Sequence, residues 1–179
     1  MKDIIKTLLD KALREPNIAA SDVLSDKLYL NITCNNDYWC VELPARENPA
    51  SRIVFSVEIH KGAVEIESIT VKPTIQRKGI GTLLFSGMLE ILDVMNSVLI
   101  DQGHPSIKEI YGTLIPYDPP YDQYEKSIPF YIKQAELNNL SIQFYEEDKA
   151  TFQKRDISFD EALGFIDTWK CGGFKYSFK

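Results

Sequence analysis

The stretch from residue 69 to residue 95 constrains the fold of this chain more than any other part of its sequence. It opens with β-branched residues, passes Pro73 and the segment Gln-Arg-Lys-Gly-Ile-Gly at 76–81, and continues with apolar residues at helical spacing. The apolar stripe from Ile80 to Met95 is too long for a strand and has the three-and-four period of an α-helix. The chain must therefore place a glycine-bearing turn where a strand meets a sheet-packing helix.

The rest of the chain predicts a mixed fold with a mostly antiparallel sheet. Residues 52–60 and 63–71 alternate apolar and polar side chains and flank Lys61-Gly62, which predicts an antiparallel hairpin with a two-residue connection. Further strands are predicted at 27–33, 38–43, 107–115, 141–147 and 165–178, and helices at 4–13, 128–140 (with Ser127 as its N-cap) and 156–163. We expect a three-layer α/β (α+β) domain, in which helices flank both faces of the central sheet.

Composition bounds the size and setting of the protein. Its 179 residues fit a single domain, 1–179, and the excess of 26 Asp and Glu over 20 Lys and Arg gives no basic field for nucleic acid. Three cysteines without zinc-ligand spacing favour reduced thiols and no metal. We expect no membrane contact and no signal peptide, hence a cytoplasmic protein, since no stretch approaches the ~20 apolar residues of a membrane span. The aromatic C-terminus suits either a closing sheet edge or a homodimer interface.

The turn at 76–81 has the features of an anion site. Gly79 and Gly81 lie at the start of a predicted helix, where backbone N–H groups lack intrahelical acceptors and the helix dipole is positive. Without a Cβ at either position a phosphate can approach the backbone, and Arg77 and Lys78 add positive charge. No Gly-Lys-Ser/Thr follows, and no third glycine stands at dinucleotide spacing, which excludes the two commonest phosphate motifs. A purely structural tight turn is the alternative.

This turn and its flanks resemble a known family. Val71-x-Pro73, then Gln76-x-x-Gly79-x-Gly81, then an apolar helix, resembles the acetyl-CoA-binding motif of the GNAT N-acetyltransferase superfamily, closely over residues 63–96. The resemblance implies a GNAT-like fold with acetyl-CoA as the acetyl donor and an amine as the acceptor. It also implies two backbone regions that contact the donor. The pyrophosphate would be bound by Gln76, Arg77, Lys78, Gly79, Ile80, Gly81 and Thr82, and the pantetheine arm and the thioester oxygen by Ile69, Thr70 and Val71, near a strand bulge.

Two glutamates are candidates for the general base. Glu65 and Glu67 lie on the predicted strand, and simple alternation would put them on one side with Ile69 and Val71. The resemblance favours Glu65, fourteen residues before Gly79, because a strand glutamate at such a spacing serves as the base in some family members. Glu67 is the alternative, and a solvated or salt-bridged sheet carboxylate is the structural explanation for either.

Two tyrosines are candidates for the general acid, because the family often carries a Phe-Tyr pair in the helix after the next strand. Tyr131 fits that place, while Tyr145 lies in a segment that alternates like a strand. The Gly-Phe that usually follows the family's tyrosine is absent, so Tyr145 stays open. The acidic, aromatic loop at 117–125 is a further hypothesis, a surface that attracts a cationic amine.

These expectations define one leading function and two alternatives. The leading function is transfer of an acetyl group from acetyl-CoA to a primary amine, by direct attack in a ternary complex. The first alternative is a catalytically inactive CoA-binding or interaction domain. The second is a GNAT enzyme that acts on protein or on aminoacyl-tRNA.

Overall fold

The computed structural model describes residues 20–25, 28–35, 38–42, 51–114, 124–148, 150–163 and 172–179. Contacts divide the chain into two compact units, Met1–Ile107 and Lys108–Lys179, which we describe separately. The predicted single domain stays a prediction. The predicted helix at 4–13 and residues 117–123 of the acidic loop lie outside the described residues.

The N-terminal unit contains an antiparallel sheet in the order β1-β2-β3-β4-β5. Its strands are β1 (Ala20–Ser25), β2 (Leu28–Asn35), β3 (Tyr38–Glu42), β4 (Arg52–Glu58) and β5 (Ala63–Thr70). Alternate residues of β3 and β4 are buried: Trp39, Val41, Ile53, Phe55 and Val57. The sequence predicted four of these strands and missed β1, whose residues Ala-Ser-Asp-Val-Leu-Ser carry no strand alternation.

Helix α1 (Ile80–Asp101) packs against β3 and β4. Its buried side is a continuous apolar stripe that includes Leu84, Met88, Ile91 and Met95, as the three-and-four spacing predicts. The helix continues past Met95 and ends at Asp101.

Helix α1 also corrects one expectation. By length and composition it is apolar enough to cross a membrane, with a mean hydropathy of 1.7 over its most apolar window, so the statement that no stretch approaches a membrane span was wrong. Half of that window is buried inside the structure. The apolar side chains of α1 therefore serve, at least on that side, as the core of the N-terminal unit.

The β4–β5 hairpin is confirmed, but its connection has four residues rather than two. Strand pairing ends at Glu58 and Ala63. The Lys61 N–H donates to the Glu58 carbonyl (3.0 Å) and the Gly62 N–H to the Ile59 carbonyl (3.2 Å). Gly62 has φ +63°, and a Cβ there would lie 2.5 Å from the Ser106 carbonyl oxygen. Glycine is thus required by conformation and by space, as the sequence suggested for a turn.

The C-terminal unit contains a second antiparallel arrangement, in the order β6-β9-β7-β8. Its elements are β6 (Glu109–Leu114), α2 (Tyr124–Leu137), β7 (Leu140–Glu147), β8 (Lys154–Ile157), α3 (Phe159–Leu163) and β9 (Gly172–Phe178). Helix α2 packs against β7. Together the units confirm a mixed α/β fold class in which the strand pairs described within them are antiparallel.

The start of α2 differs from the prediction. Ser127 was expected to be the N-cap, but α2 begins at Tyr124 and Ser127 lies inside it. Pro129 also lies inside the helix, close to its beginning. Pro129 is the sixth residue of α2, past the first N–H groups that have no intrahelical acceptor, so its missing N–H removes one backbone hydrogen bond from the helix.

Candidate functional site

Two side-chain hydrogen bonds hold the segment between β5 and α1 in place. A short 3-10 turn, Pro73–Ile75, follows the strand. Before this turn, the Lys72 N–H donates to the Ser51 hydroxyl oxygen at 3.1 Å, and Ser51 is fully buried. After it, the Gln76 side chain folds back and its Nε2 donates to the Val71 carbonyl at 3.1 Å. The sequence did not identify the contribution of Ser51, since its partner is distant in the chain.

The backbone of the turn reverses at two left-handed residues. Gly79 has φ +82° and is the N-cap of α1, and Arg77 has φ +61°. A left-handed conformation costs a residue with a Cβ roughly 1–2 kcal/mol, whereas glycine adopts it freely. Arg77 therefore occupies a strained position, and no sequence pattern predicted this.

The first turn of α1 is open to an anion. The first intrahelical bond runs from the Leu83 N–H to the Gly79 carbonyl (2.9 Å), so the N–H groups of Ile80 and Gly81 have no acceptor within the helix. The first helical turn carries no acidic residue, and beyond the adjacent residues of its own chain segment no described atom lies within 4 Å of where a Gly79 Cβ would stand. Arg77 and Lys78 are exposed beside it.

These features fit a pyrophosphate. The helix start provides N–H donors and a positive dipole end, the missing Cβ of Gly79 leaves room, and the exposed cations supply countercharge. Among the backbone N–H groups predicted to bind the pyrophosphate, that of Gln76 already donates a long hydrogen bond, 3.4 Å, to the Pro73 carbonyl.

A β-bulge interrupts the pairing of β4 with β5 and places the candidate bases. Val54 pairs with Ser68 and Phe55 with Ile66, so Glu67 is the extra residue on β5. Because directly paired residues share a sheet face, Glu65 lies with its partner Ser56, while Ile69 lies with the buried Ile53 on the other face. The expectation that Glu65 and Glu67 share a side with Ile69 was therefore wrong, because the bulge shifts the alternation by one residue. The resemblance places a strand bulge near residues 69–71, and the observed bulge at Glu67 lies two residues before them.

The two glutamates differ in exposure and in contacts. Glu65 is partly buried, and Glu67 is exposed. The Ser56 hydroxyl donates to Glu67 Oε1 at 3.1 Å, which puts both carboxylates on the Ser56 face of the sheet. Sequence reasoning did not select Ser56, although the predicted hairpin already placed it opposite this part of β5.

The two candidate acids lie on opposite faces of the C-terminal sheet. The Tyr131 ring stacks on Phe174, with ring centroids 3.9 Å apart. Tyr145 pairs with Gly173, and a Cβ built on Gly173 would collide with the Tyr145 hydroxyl. Since neighbouring residues of β9 point to opposite faces, one site can contain Tyr131 or Tyr145 but not both.

Their environments also differ. Burial raises the pKa of the Tyr131 phenol, and burial together with Tyr131 raises that of Tyr176, whose hydroxyl donates to the Tyr131 carbonyl at 2.7 Å. Tyr145 is buried, and Lys154 Nζ lies 4.5 Å from its ring centroid. Both tyrosines thus have a packing role that would explain their presence without catalysis.

Comparisons with known proteins give likenesses of structure only. No protein-family model and no curated protein sequence matches this chain at a significant level. It is similar to a Desulfovibrio desulfuricans protein assigned to the GNAT acetyltransferase family, with 13% identity, TM-score 0.46, and coverage of 79% of this chain and 69% of that one. It is also similar to nourseothricin acetyltransferase (12%, TM-score 0.45, coverage 88% and 82%). A third structure is the PaiA N-acetyltransferase of Thermoplasma acidophilum with coenzyme A (16%, TM-score 0.41, coverage 76% and 60%).

All three are acetyltransferases, the class that the motif at 76–81 resembles. Among the residues that the structure describes, no group of three or more His, Cys, Asp or Glu side chains could hold a metal ion.

Proposed function

We propose that this protein is a GNAT-type N-acetyltransferase that moves an acetyl group from acetyl-CoA to a primary amine. The observation that carries the proposal is the start of α1, where Ile80 and Gly81 offer N–H groups with no acceptor in the helix beside an open Gly79. This geometry is what the acetyl-CoA motif requires of these positions. A cytoplasmic location and a homodimer remain part of the proposal.

The turn would bind the donor by its pyrophosphate. Backbone N–H groups of the helix start would donate to the phosphate oxygens, and Arg77 and Lys78 would balance their charge. The strand residues Ile69, Thr70 and Val71 would line the pantetheine arm and give an N–H to the thioester oxygen as negative charge develops there. The two hydrogen bonds made by Ser51 and Gln76 hold this backbone before the donor arrives.

The reaction needs one proton acceptor and one proton donor. The neutral amine nitrogen attacks the thioester carbonyl carbon, the C–N bond forms, and the C–S bond breaks with its electron pair leaving on sulfur. Glu67 or Glu65 would accept the proton that the nitrogen loses, directly or through water. Tyr131 would give a proton to the thiolate, with Tyr145 as the alternative. The Tyr131 phenol carries a proton at neutral pH, as any phenol does, and burial, which raises its pKa above the usual value of 10.0, makes it a weaker proton donor.

One observation favours a second function. The Tyr131 ring stacks on Phe174 and its carbonyl accepts the Tyr176 hydroxyl, so its place in the fold is explained by packing alone. A catalytically inactive CoA-binding domain would keep the turn and need no acid. An acetyltransferase of protein or aminoacyl-tRNA would use the same turn with a different acceptor.

Calorimetry and a thiol-release assay separate these functions. We expect acetyl-CoA and CoA both to bind, and free thiol to appear from acetyl-CoA with at least one member of a panel of polyamines, aminoglycosides, amino acids, peptides and an aminoacyl-tRNA. Binding without thiol release on any acceptor would favour the inactive domain. Absence of binding by both ligands would contradict the proposed function and the inactive domain alike.

A further inference from the structure

Ser56 occupies a central position on the polar face of the N-terminal sheet. It lies in the middle of β4, directly opposite Tyr38 on β3 and Glu65 on β5. Its hydroxyl does not bond to the backbone of its own strand in the structure but reaches Glu67 Oε1 at 3.1 Å. Among the described residues, Ser56 is the one hydrogen-bond donor to the Glu67 side chain.

Glu67 shares a sheet face with Ser56. Glu65 pairs directly with Ser56, and alternation along β5 puts Glu67, two residues further on, on the same face. Glu67 is also the extra residue of the bulge, because Glu67 and Ser68 together lie opposite the single residue Val54. The Ser56 hydroxyl therefore bonds to the carboxylate of a residue that has no regular partner on β4.

An exposed glutamate needs such a contact to act reproducibly on a substrate. Its side chain has several rotamers in solvent, and holding one of them costs conformational entropy. A hydroxyl that donates to one carboxylate oxygen offsets part of that cost and fixes the direction of the other oxygen. A general base must lie within hydrogen-bond reach of the proton it takes, or one water away, so this orientation would be felt in the chemical step.

We infer that Ser56 is a positioning residue for Glu67, and that Glu67 rather than Glu65 takes the proton of the attacking amine. Ser56 holds Oε1, and Oε2 accepts the proton as the C–N bond forms and the C–S bond breaks. This inference rests on the proposed function. It deepens that function by choosing between two carboxylates that the sequence left as alternatives.

A double-mutant cycle on the amine that the wild type acetylates tests the inference. Ser56→Ala should lower kcat about three- to tenfold, the effect of losing one hydrogen bond to a charged group at an exposed site, with the KM for acetyl-CoA unchanged. Ser56→Thr, which keeps the hydroxyl, should retain kcat to within about twofold. Glu67→Gln should lower kcat more than Glu65→Gln. In the Glu67→Gln background, Ser56→Ala should have no further effect.

A matched serine controls for the loss of a sheet hydroxyl. Ser141 is exposed on β7, and its hydroxyl donates to the Ser177 carbonyl at 3.3 Å, so Ser141→Ala removes a comparable bond and should leave kcat unchanged. Calorimetric binding of CoA to every variant confirms that the turn is intact.

Three outcomes would overturn the inference. Equal losses from Ser56→Ala in the wild-type and Glu67→Gln backgrounds would show that the serine does not act through Glu67. A larger loss in Glu65→Gln than in Glu67→Gln would assign the proton transfer to Glu65. If the wild type binds CoA but acetylates no amine, the proposed function fails, and the inference fails with it. The first two outcomes leave the proposed function standing.

Discussion

Arg77 and Gly79 are the two residues of the turn with a left-handed backbone. Both are left-handed, but only Gly79 adopts that conformation without strain. Arg77 would be retained at a strained position if its charge contributes to the site. Strain at a ligand-binding turn is a common reason for such a residue to persist.

Arg77→Gly should therefore change stability and binding in opposite directions. Relief of the left-handed strain, less the entropy cost of glycine, should raise the free energy of unfolding by about 0.5–1 kcal/mol. Loss of the cation should weaken acetyl-CoA binding several-fold. Urea denaturation and calorimetry measure the two effects. If Arg77→Gly is less stable than the wild type, Arg77 is not strained. If it binds acetyl-CoA as tightly as the wild type, the Arg77 charge does not contribute to binding.

Tyr131 provides a test through its buried phenol. The raised pKa means that the folded state resists ionisation, so the stability associated with the protonated phenol is complete below pH 10 and is lost as the pH rises above it. Tyr131→Phe keeps the stack on Phe174 and should make the fall in stability above pH 10 shallower, although Tyr176 still contributes to it. Urea denaturation as a function of pH measures this. An unchanged alkaline profile would mean that the Tyr131 phenol is not buried.

The same variant separates the two candidate acids. Loss of a general acid typically lowers a rate by about 10²–10⁴, so Tyr131→Phe should reduce thiol release far more than Tyr145→Phe. The opposite order would place the reaction on the other face of the C-terminal sheet, where Tyr145 pairs with Gly173.

At the residue scale, the sequence predicted what depends on local chain chemistry. Gly79 and Gly81 were chosen because a helix start without Cβ atoms binds anions. Ser56 was not predicted, and the resemblance placed the bulge two residues too late, since an extra residue leaves the strand-like composition of β5 intact and shows only in the register with β4. The faces of Tyr131 and Tyr145 likewise depend on pairing in the sheet.

At the scale of elements, periodicity was sufficient for the long helix and the hairpin. Helix α1 was predicted because its apolar period extends over several turns, and β4 and β5 because they alternate. The start of α2 was placed too late, since capping residues and prolines mark a helix end only to within a turn. Strand β1 was missed because its composition resembles that of a loop.

Two substitutions at opposite sides of α1 test whether it is a packed core helix. Leu84 is fully buried, and Ile100 is 59% exposed. Leu84→Ala should cost about 2–5 kcal/mol of unfolding free energy through lost burial and a cavity. Ile100→Ala should change it by no more than about 0.5 kcal/mol. Urea denaturation measures both, and equally small effects would contradict the packing of α1 on β3 and β4.

At the scale of the whole molecule, charge and the turn have to be considered together. The chain carries a net charge of −6, so an acidic ligand such as CoA meets overall repulsion and must be bound by a local site. The start of α1 is a candidate for that site because no acidic residue stands in its first turn and two cations precede it. The sequence alone predicted this balance of local and overall charge. The identity of the acceptor amine could not be predicted, because it depends on the shape of loops, which the periodicity of the sequence does not reveal.

Calorimetric titration of acetyl-CoA into the wild type, Gly81→Asp and Gly81→Asn measures whether the start of α1 binds the donor. We expect micromolar binding by the wild type, about −8 kcal/mol at 1 µM, at least a tenfold loss in Gly81→Asp by charge repulsion, and a smaller loss in the neutral Gly81→Asn. Since a carboxylate in the first turn interacts favourably with the helix dipole, the charge itself should not unfold Gly81→Asp. No binding by the wild type, or equal affinity in the wild type and Gly81→Asp, would contradict the claim that this turn binds acetyl-CoA.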